Sequence, residues 1–141
     1  MIVIGSDHAG FELKESIKAF LLEHKISFSD IGTYSTQSCD YPDIAHELAL
    51  IVVRNEAERG ILICGSGEGV CITANKHESI RAALVWNVEI AKLSRQHNDA
   101  NVLCLPARFL SESDANTIVQ TFIQTAFEGG RHQKRIDKIN I

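Results

Sequence analysis

The stretch GILICGSGEGVCITANK, residues 60–76, decides how this chain is read. Gly60 opens the apolar run Ile61-Leu62-Ile63-Cys64, with no polar residue interleaved. A run that is apolar on both sides of the pleat fits a strand covered on both faces, the usual state of a parallel sheet. Gly65-Ser66-Gly67-Glu68-Gly69 breaks the run at once, and residues 68–77 then read as a helix. Strand, glycine turn and helix in that order make half of a βαβ unit.

Outward from that unit the same alternation repeats. Residues 2–6 (IVIGS) predict a strand, and 11–24 a helix with Leu13, Ile17, Phe20 and Leu21 on one face. Residues 27–31 predict a second strand ending at Gly32, and 43–55 a helix carrying Ile44, Leu48, Ile51 and Val52. Beyond the central unit, 80–86 (IRAALVW) predict a fourth strand, 87–96 a helix and 101–105 (NVLCL) a fifth strand. Ser111 and Asp114 resemble a capping box before a long helix. Its apolar stripe is Ala115, Ile118, Val119, Phe122, Ile123 and Ala126, and Gly129-Gly130 is expected to end it. A short basic helix, about 130–139, follows. The pattern predicts one α/β domain over residues 1–141. It is doubly wound and Rossmann- or flavodoxin-like, with a five-stranded parallel sheet and helices on both faces.

Composition agrees and excludes several classes. With 141 residues, 45% hydrophobic and 23% charged, the chain is long enough to bury a core without staples. A formal net charge of -4 gives no support to nucleic-acid binding. No apolar run approaches the ~18 residues a spanning helix needs. The N-terminus shows no basic region or cleavage pattern, so no signal peptide is expected. Cys39, Cys64, Cys71 and Cys104 form no C-x-x-C pair and lack zinc-ligand spacing, so reduced thiols in a cytoplasmic protein are expected.

In a doubly wound sheet, ligands bind outside the carboxyl ends of the strands. Asp7-His8-Ala9-Gly10 follows the first strand, and Gly32-Thr33 the second, with Asp40-Tyr41-Pro42 further on. Cys64 through Gly69 follows the third strand and Pro106-Ala107-Arg108 the fifth. The helix after the fourth strand ends near His97-Asn98-Asp99. All these polar groups are expected to gather at one edge of the sheet.

Each carries two readings. Free cysteine is commonly a small buried apolar group, which suits Cys71 and Cys104; Cys39 has no assigned role. Cys64 fits that use too, but it abuts a glycine loop that opens a helix, and a helix start favours a thiolate. The loop lacks a sixth-position glycine or alanine, since Val70 stands there, and no Gly-Lys-Ser/Thr follows. What remains is a row of backbone N–H groups beside the Ser66 hydroxyl, suited to a phosphate or to a developing oxyanion. His97 and His8, as lone histidines, read as packed or solvated side chains, and Asp7 as a cap of the first helix. Arg131 and Arg135, at i and i+4, are a solvated basic terminus or a phosphate clamp.

Six stretches in order, DHAGFELK, YPD, ILICGSGEG, ITANK, SRQHNDANVL and EGGRHQ, resemble the type B ribose-5-phosphate isomerase family, which also contains allose-6-phosphate and galactose-6-phosphate isomerases. The match covers nearly the whole chain. The resemblance implies an aldose–ketose isomerase working through a cis-enediolate, with Cys64 as the base between C2 and C1. It implies that Ser66, where many members carry threonine, and the amides of Gly65, Gly67, Glu68 and Gly69 hold the enediolate oxygen. It assigns ring opening to His97 and the sugar hydroxyls or ring oxygen to Asp7. The phosphate falls to His8, Arg108, Arg131 and Arg135, and the walls of the sugar site to Tyr41 and Asn98. It further implies a dimer or tetramer with sites shared between subunits, and no metal or organic cofactor. A branch of the family lacks the cysteine and uses a glutamate later in the loop. That position falls nearer Val70 here, which keeps Cys64 as the base and leaves Glu68 as a helix-start residue. The alternatives are a six-carbon phosphosugar substrate, a non-catalytic phosphosugar- or nucleotide-binding module, and a thiol-redox protein pairing Cys64 with Cys71.

Overall fold

Alternate residues of each central strand face opposite layers, and both layers are buried. The structure is a computed structural model and describes residues 1–140. Its elements are β1 (Ile2–Ser6), α1 (Phe11–Glu23), β2 (Phe28–Asp30), α2 (Tyr41–Val53), β3 (Arg59–Cys64) and α3 (Glu68–Ala74). They continue with β4 (Ala82–Leu84), α4 (Val88–Gln96), β5 (Val102–Pro106), a 3-10 turn (Ala107–Phe109), α5 (Glu112–Gln124) and α6 (Arg131–Ile136). Ile4, Ile61, Ile63, Leu103 and Leu105 point to the layer holding α1, α4 and α5, where Ile17, Ala91 and Phe122 meet them. Val3, Leu62, Cys64, Val102 and Cys104 point to the layer of α2 and α3, against Leu48, Ala49 and Val70. No helix among the described residues is long and apolar enough to cross a membrane.

The sheet is all-parallel in the order β2-β1-β3-β5-β4. The chain winds outward from β1 to β2, crosses back to β3, and builds the other half from there. The switch of direction lies between β1 and β3, so the crevice at their carboxyl ends is where this fold binds ligands. Ser6 pairs with Ile63 there, which sets Asp7 beside Cys64.

The five expected strands and their helices are present, with shifted ends. The fourth strand shrinks from 80–86 to Ala82–Leu84. The Asn75 side chain accepts from Ala82 N–H (2.8 Å) and donates to Ala82 O (2.9 Å), standing in for a neighbouring strand at this edge. α2 begins at Tyr41, because Pro42 suits a first helical turn. α5 stops at Gln124, short of Ala126 and Gly129. Arg59 Nη1 donates to Phe122 O and Ile123 O (2.9 and 2.8 Å), and Arg95 Nε to Thr125 O (3.1 Å), taking carbonyls that further helical turns would use. Ser111 Oγ accepts from Asp114 N–H, as the capping pattern predicts.

One buried ion cluster fixes the β2 edge. The Lys14 side chain is wholly buried, with Nζ 2.7 and 2.6 Å from the two Asp30 oxygens; Lys18 Nζ adds a contact at 2.7 Å and Gly32 N–H one at 2.9 Å. Burial raises the Asp30 pKa, but the two ammonium groups and the Gly32 amide outweigh it and hold the carboxyl below its ordinary range. Asp30→Ala leaves the buried Lys14 charge with only the more distant Glu15 Oε2 at 3.5 Å, an expected loss of about 3–5 kcal/mol by urea unfolding at neutral pH. A depressed carboxyl contributes stability above its unfolded pKa and loses it as pH falls through the folded one. The gap between wild type and variant should therefore close in acid. An equal gap at all pH values contradicts this account.

Candidate active site

At the carboxyl edge the sequence packs a tight cluster of candidate residues around Cys64. Gly10 is required because a Cβ there would lie 2.6 Å from Ile63 O; the start of α1 presses directly on the end of β3. The Asp7 N–H donates to Ile63 O (3.2 Å), and Asp7 Oδ1 accepts from Gly10 N–H (3.0 Å). Asp7 is thus both a local cap and a buried carboxylate beside the cysteine. His8 Nδ1 accepts from Cys39 N–H (3.2 Å), which leaves the Nε2 proton to donate outward. This gives the loop around Cys39 a role that its sequence does not announce.

The glycine loop is shaped by close approach. Gly67 has φ +73, and a Cβ there would meet Leu84 Cδ1 at 2.6 Å. The position serves glycine alone. Ser66 Oγ accepts from Glu68 N–H (3.3 Å), leaving its hydroxyl proton to donate to a ligand and removing the Glu68 amide from those a ligand can use. The Tyr41 ring lies against Gly69, where a Cβ would fall 2.6 Å from Cζ. The Arg108 guanidinium lies over Gly65, and its backbone N–H donates to Gly65 O (3.1 Å). Asp7, His8, Tyr41, Cys64 to Gly69 and Arg108 therefore share one edge. Cys64 is 4% exposed, and the Glu68 side chain faces solvent.

His97 and Asn98 do not join them, contrary to the single-edge expectation. Helices of this fold run antiparallel to the strands, so the end of α4 delivers the chain to the start of β5. Asn98 O accepts from Arg81 Nε (2.9 Å) just before β4, at the amino edge. Four residue steps along β5, which pairs Pro106 with Cys64, put that edge roughly 13 Å from the cysteine. Arg131 and Arg135 lie with His97. Glu128 N–H donates to Gln96 O (3.1 Å), Gly129 and Gly130 turn the chain at φ +68 and +58, and α6 packs against the α4 terminus. A cavity of about 680 Å³ opens on this side, beside Arg81, Ser94, Asn98 and Ile139. The candidate residues thus fall into two groups at opposite ends of one sheet.

The His97 ring stacks on His132, with centroids 4.3 Å apart and planes 15° from parallel. His132 stands inside EGGRHQ, but a histidine in a basic tail gives no local sign of burial. It is buried by the fold of the tail onto α4. Burial, then His97 and Arg131, push its pKa below the ordinary imidazole value. His97, Glu128 and His132 place potential ligand atoms within 4.8 Å of one another. Nitrogen lone pairs lie in the ring planes, so two stacked imidazoles do not converge on one ion at about 2.0–2.1 Å. The cluster reads as a stack rather than a chelate. The Cys71 thiol donates to Ala82 O (3.4 Å) and accepts from Asn75 Nδ2 (3.6 Å), and burial pushes the pKa of the Cys104 thiol up.

The chain is similar to proteins whose chemistry is named. Residues 2–139 match the family model described as Ribose/Galactose Isomerase. A ribose-5-phosphate isomerase B of Escherichia coli is 45% identical over 138 residues, covering 98% of this chain and 93% of that one. The crystal structure of a ribose 5-phosphate isomerase from Thermotoga maritima superposes with TM-score 0.97 at 50% identity, over 99% of this chain and 96% of the other. That of ribose-5-phosphate isomerase B from Mycoplasma genitalium, with bound ribulose-5-phosphate, gives 0.93 at 48%, over 98% and 92%.

Proposed function

The chain belongs to the ribose/galactose isomerase family, and from that membership we propose how it interconverts ribose 5-phosphate and ribulose 5-phosphate. It is an aldose–ketose isomerase. The observation that carries the reading is Cys64 at the switch point, flanked by Asp7 and by a glycine loop whose conformation is fixed by packing.

The sugar ring is opened by His97. Cys64 then takes the C2 proton as thiolate and returns it at C1. The intermediate enediolate carries its charge on oxygen, beside the Ser66 hydroxyl and the loop amides, where a well-aimed donor contributes on the order of 10²–10³-fold. Asp7 receives sugar hydroxyls, and Tyr41 and Asn98 wall the site. Each step is a proton transfer or a dipole interaction supplied by the chain itself. His97 and Asn98 belong to the amino edge, so the complete site takes Cys64 from one copy and His97 from another. The assembly is a homodimer or larger. Ile72, Trp86, Val88 and Phe109, all exposed, supply apolar surface for it. It works in the cytoplasm, a reading supported by its phosphorylated substrate and by four cysteines expected as reduced thiols.

The test is turnover of ribose 5-phosphate beside allose 6-phosphate, compared by kcat/KM. A preference for the pentose is expected; turnover of neither sinks the reading. The phosphate falls to His8 and Arg108 on one edge and to Arg131 and Arg135 on the other. Arg131→Ala with Arg135→Ala should raise KM for the phosphorylated sugar on the order of 10²–10⁴-fold, since charge-assisted hydrogen bonds contribute roughly 1.5–3 kcal/mol each. An unmoved KM makes α6 a solvated terminus.

A further inference from the structure

We infer that His132 is a positioning residue for His97, a buried platform that holds the neighbouring imidazole in the orientation from which it opens the sugar ring. The inference rests on the ring-opening role proposed for His97.

The Glu128 amide pins the tail to Gln96 O, one residue before His97. Gly129 and Gly130, both at positive φ, then reverse the chain, and His132 N–H closes the turn on Gly129 O (3.2 Å). This geometry drives the His132 ring inward while Arg131 and Arg135 stay exposed. His132 is 7% exposed, and its Nε2 has no hydrogen-bond partner; Glu128 Oε2 stands 3.6 Å away. A buried ring with an unused nitrogen is costly unless the ring itself serves a purpose. The face it presents is covered by His97. At a helix terminus, His97 alone would sample several rotamers. Stacked, it keeps one, and the ordering cost is met in folding rather than at each turnover. A neutral ring beneath also tolerates the imidazolium that His97 forms in passing.

In ring opening His97 takes the C1 hydroxyl proton and becomes an imidazolium, the C1–O4 bond breaks as the aldehyde forms, and the same proton passes from His97 to O4. Ribulose 5-phosphate needs no such step: its C5 oxygen is esterified, so it has no hydroxyl placed to close a furanose on C2. Two measurements therefore separate ring opening from proton transfer. One is kcat for ribose 5-phosphate. The other is solvent deuterium wash-in at C1 of ribulose 5-phosphate, which reports enediolate formation alone.

His132→Ala should lower kcat for the aldose on the order of 100-fold, the effect of misplacing a reacting group by about an ångström, while wash-in stays within a few-fold of wild type. His132→Phe keeps a flat ring and should recover most of the aldose rate, and it also tests the proposal if the alanine variant folds poorly. The proposal is overturned if wash-in and aldose turnover fall together, if neither falls, or if phenylalanine is no better than alanine. His97→Asn is the control: should it spare aldose turnover, the ring-opening assignment itself fails.

Discussion

Cys64→Ala is expected to lose interconversion of ribose 5-phosphate and ribulose 5-phosphate by about 10²–10⁴-fold, the range for removing a positioned general base, while still binding phosphosugar. The C2 hydrogen is a weak acid, and in the proposed mechanism Cys64, at the β1–β3 switch point, takes it and gives it back one carbon away. The change removes one sulfur atom from a position walled by Leu62, Val70 and Cys104, so the fold should persist. Binding is read as the rise in unfolding temperature with added ribose 5-phosphate, since a ligand of the folded state stabilises it by mass action. A variant that neither turns over nor responds to ligand has lost the site, not the base. The rival base is Glu68. Its side chain faces solvent at the start of α3, and its backbone N–H is committed to Ser66 Oγ. Glu68→Gln should leave kcat nearly unchanged. Unimpaired turnover in the alanine variant with loss in the glutamine variant transfers the chemistry to the carboxylate.

What could be read from the sequence is what is local or topological. The glycine loop announces itself because Gly67 sits at positive φ and Gly65 and Gly69 are pressed by Arg108 and Tyr41, constraints written as residue type. The order of strands and helices follows from apolar runs and turns, and the neighbourhood of Asp7 and Cys64 follows from parallel winding. The misreadings share a cause: they depend on partners distant in sequence. α5 ends early because Arg59, on β3, takes its last carbonyls. β4 is short because Asn75 occupies its ladder groups. His132 looks like one more tail residue until the tail folds back on α4. His97 is the instructive case. Its motif marks it as functional, but motif alone does not say at which end of the sheet it stands. The direction of α4 does, and it sets the residue a strand's length from Cys64.

That separation yields the second large effect. Cys64→Ala and His97→Asn chains, each nearly inactive alone, should regain activity when unfolded together and refolded as a mixture. A site assembled from two chains is intact when its cysteine comes from the His97→Asn chain and its histidine from the Cys64→Ala chain. With random assembly into symmetric oligomers each condition holds for half the sites, so about a quarter of wild-type activity is expected. The fraction is the same for a dimer and for a tetramer built of such pairs. Chains that complete their own sites would give only the residual activities of the two parents, because every site would then carry one defect. The physical ground for recovery is that one sheet cannot fold back to join its own two edges: β5 is fully paired between β3 and β4, and its residues are buried throughout. The amino edge also opens a cavity beside Asn98, while the Cys64 edge carries the glycine loop, so each half lacks what the other offers. A mixture no more active than its parents, with subunit exchange verified by mass, would place His97 and Cys64 in separate functions and leave ring opening to solvent or to Asp7.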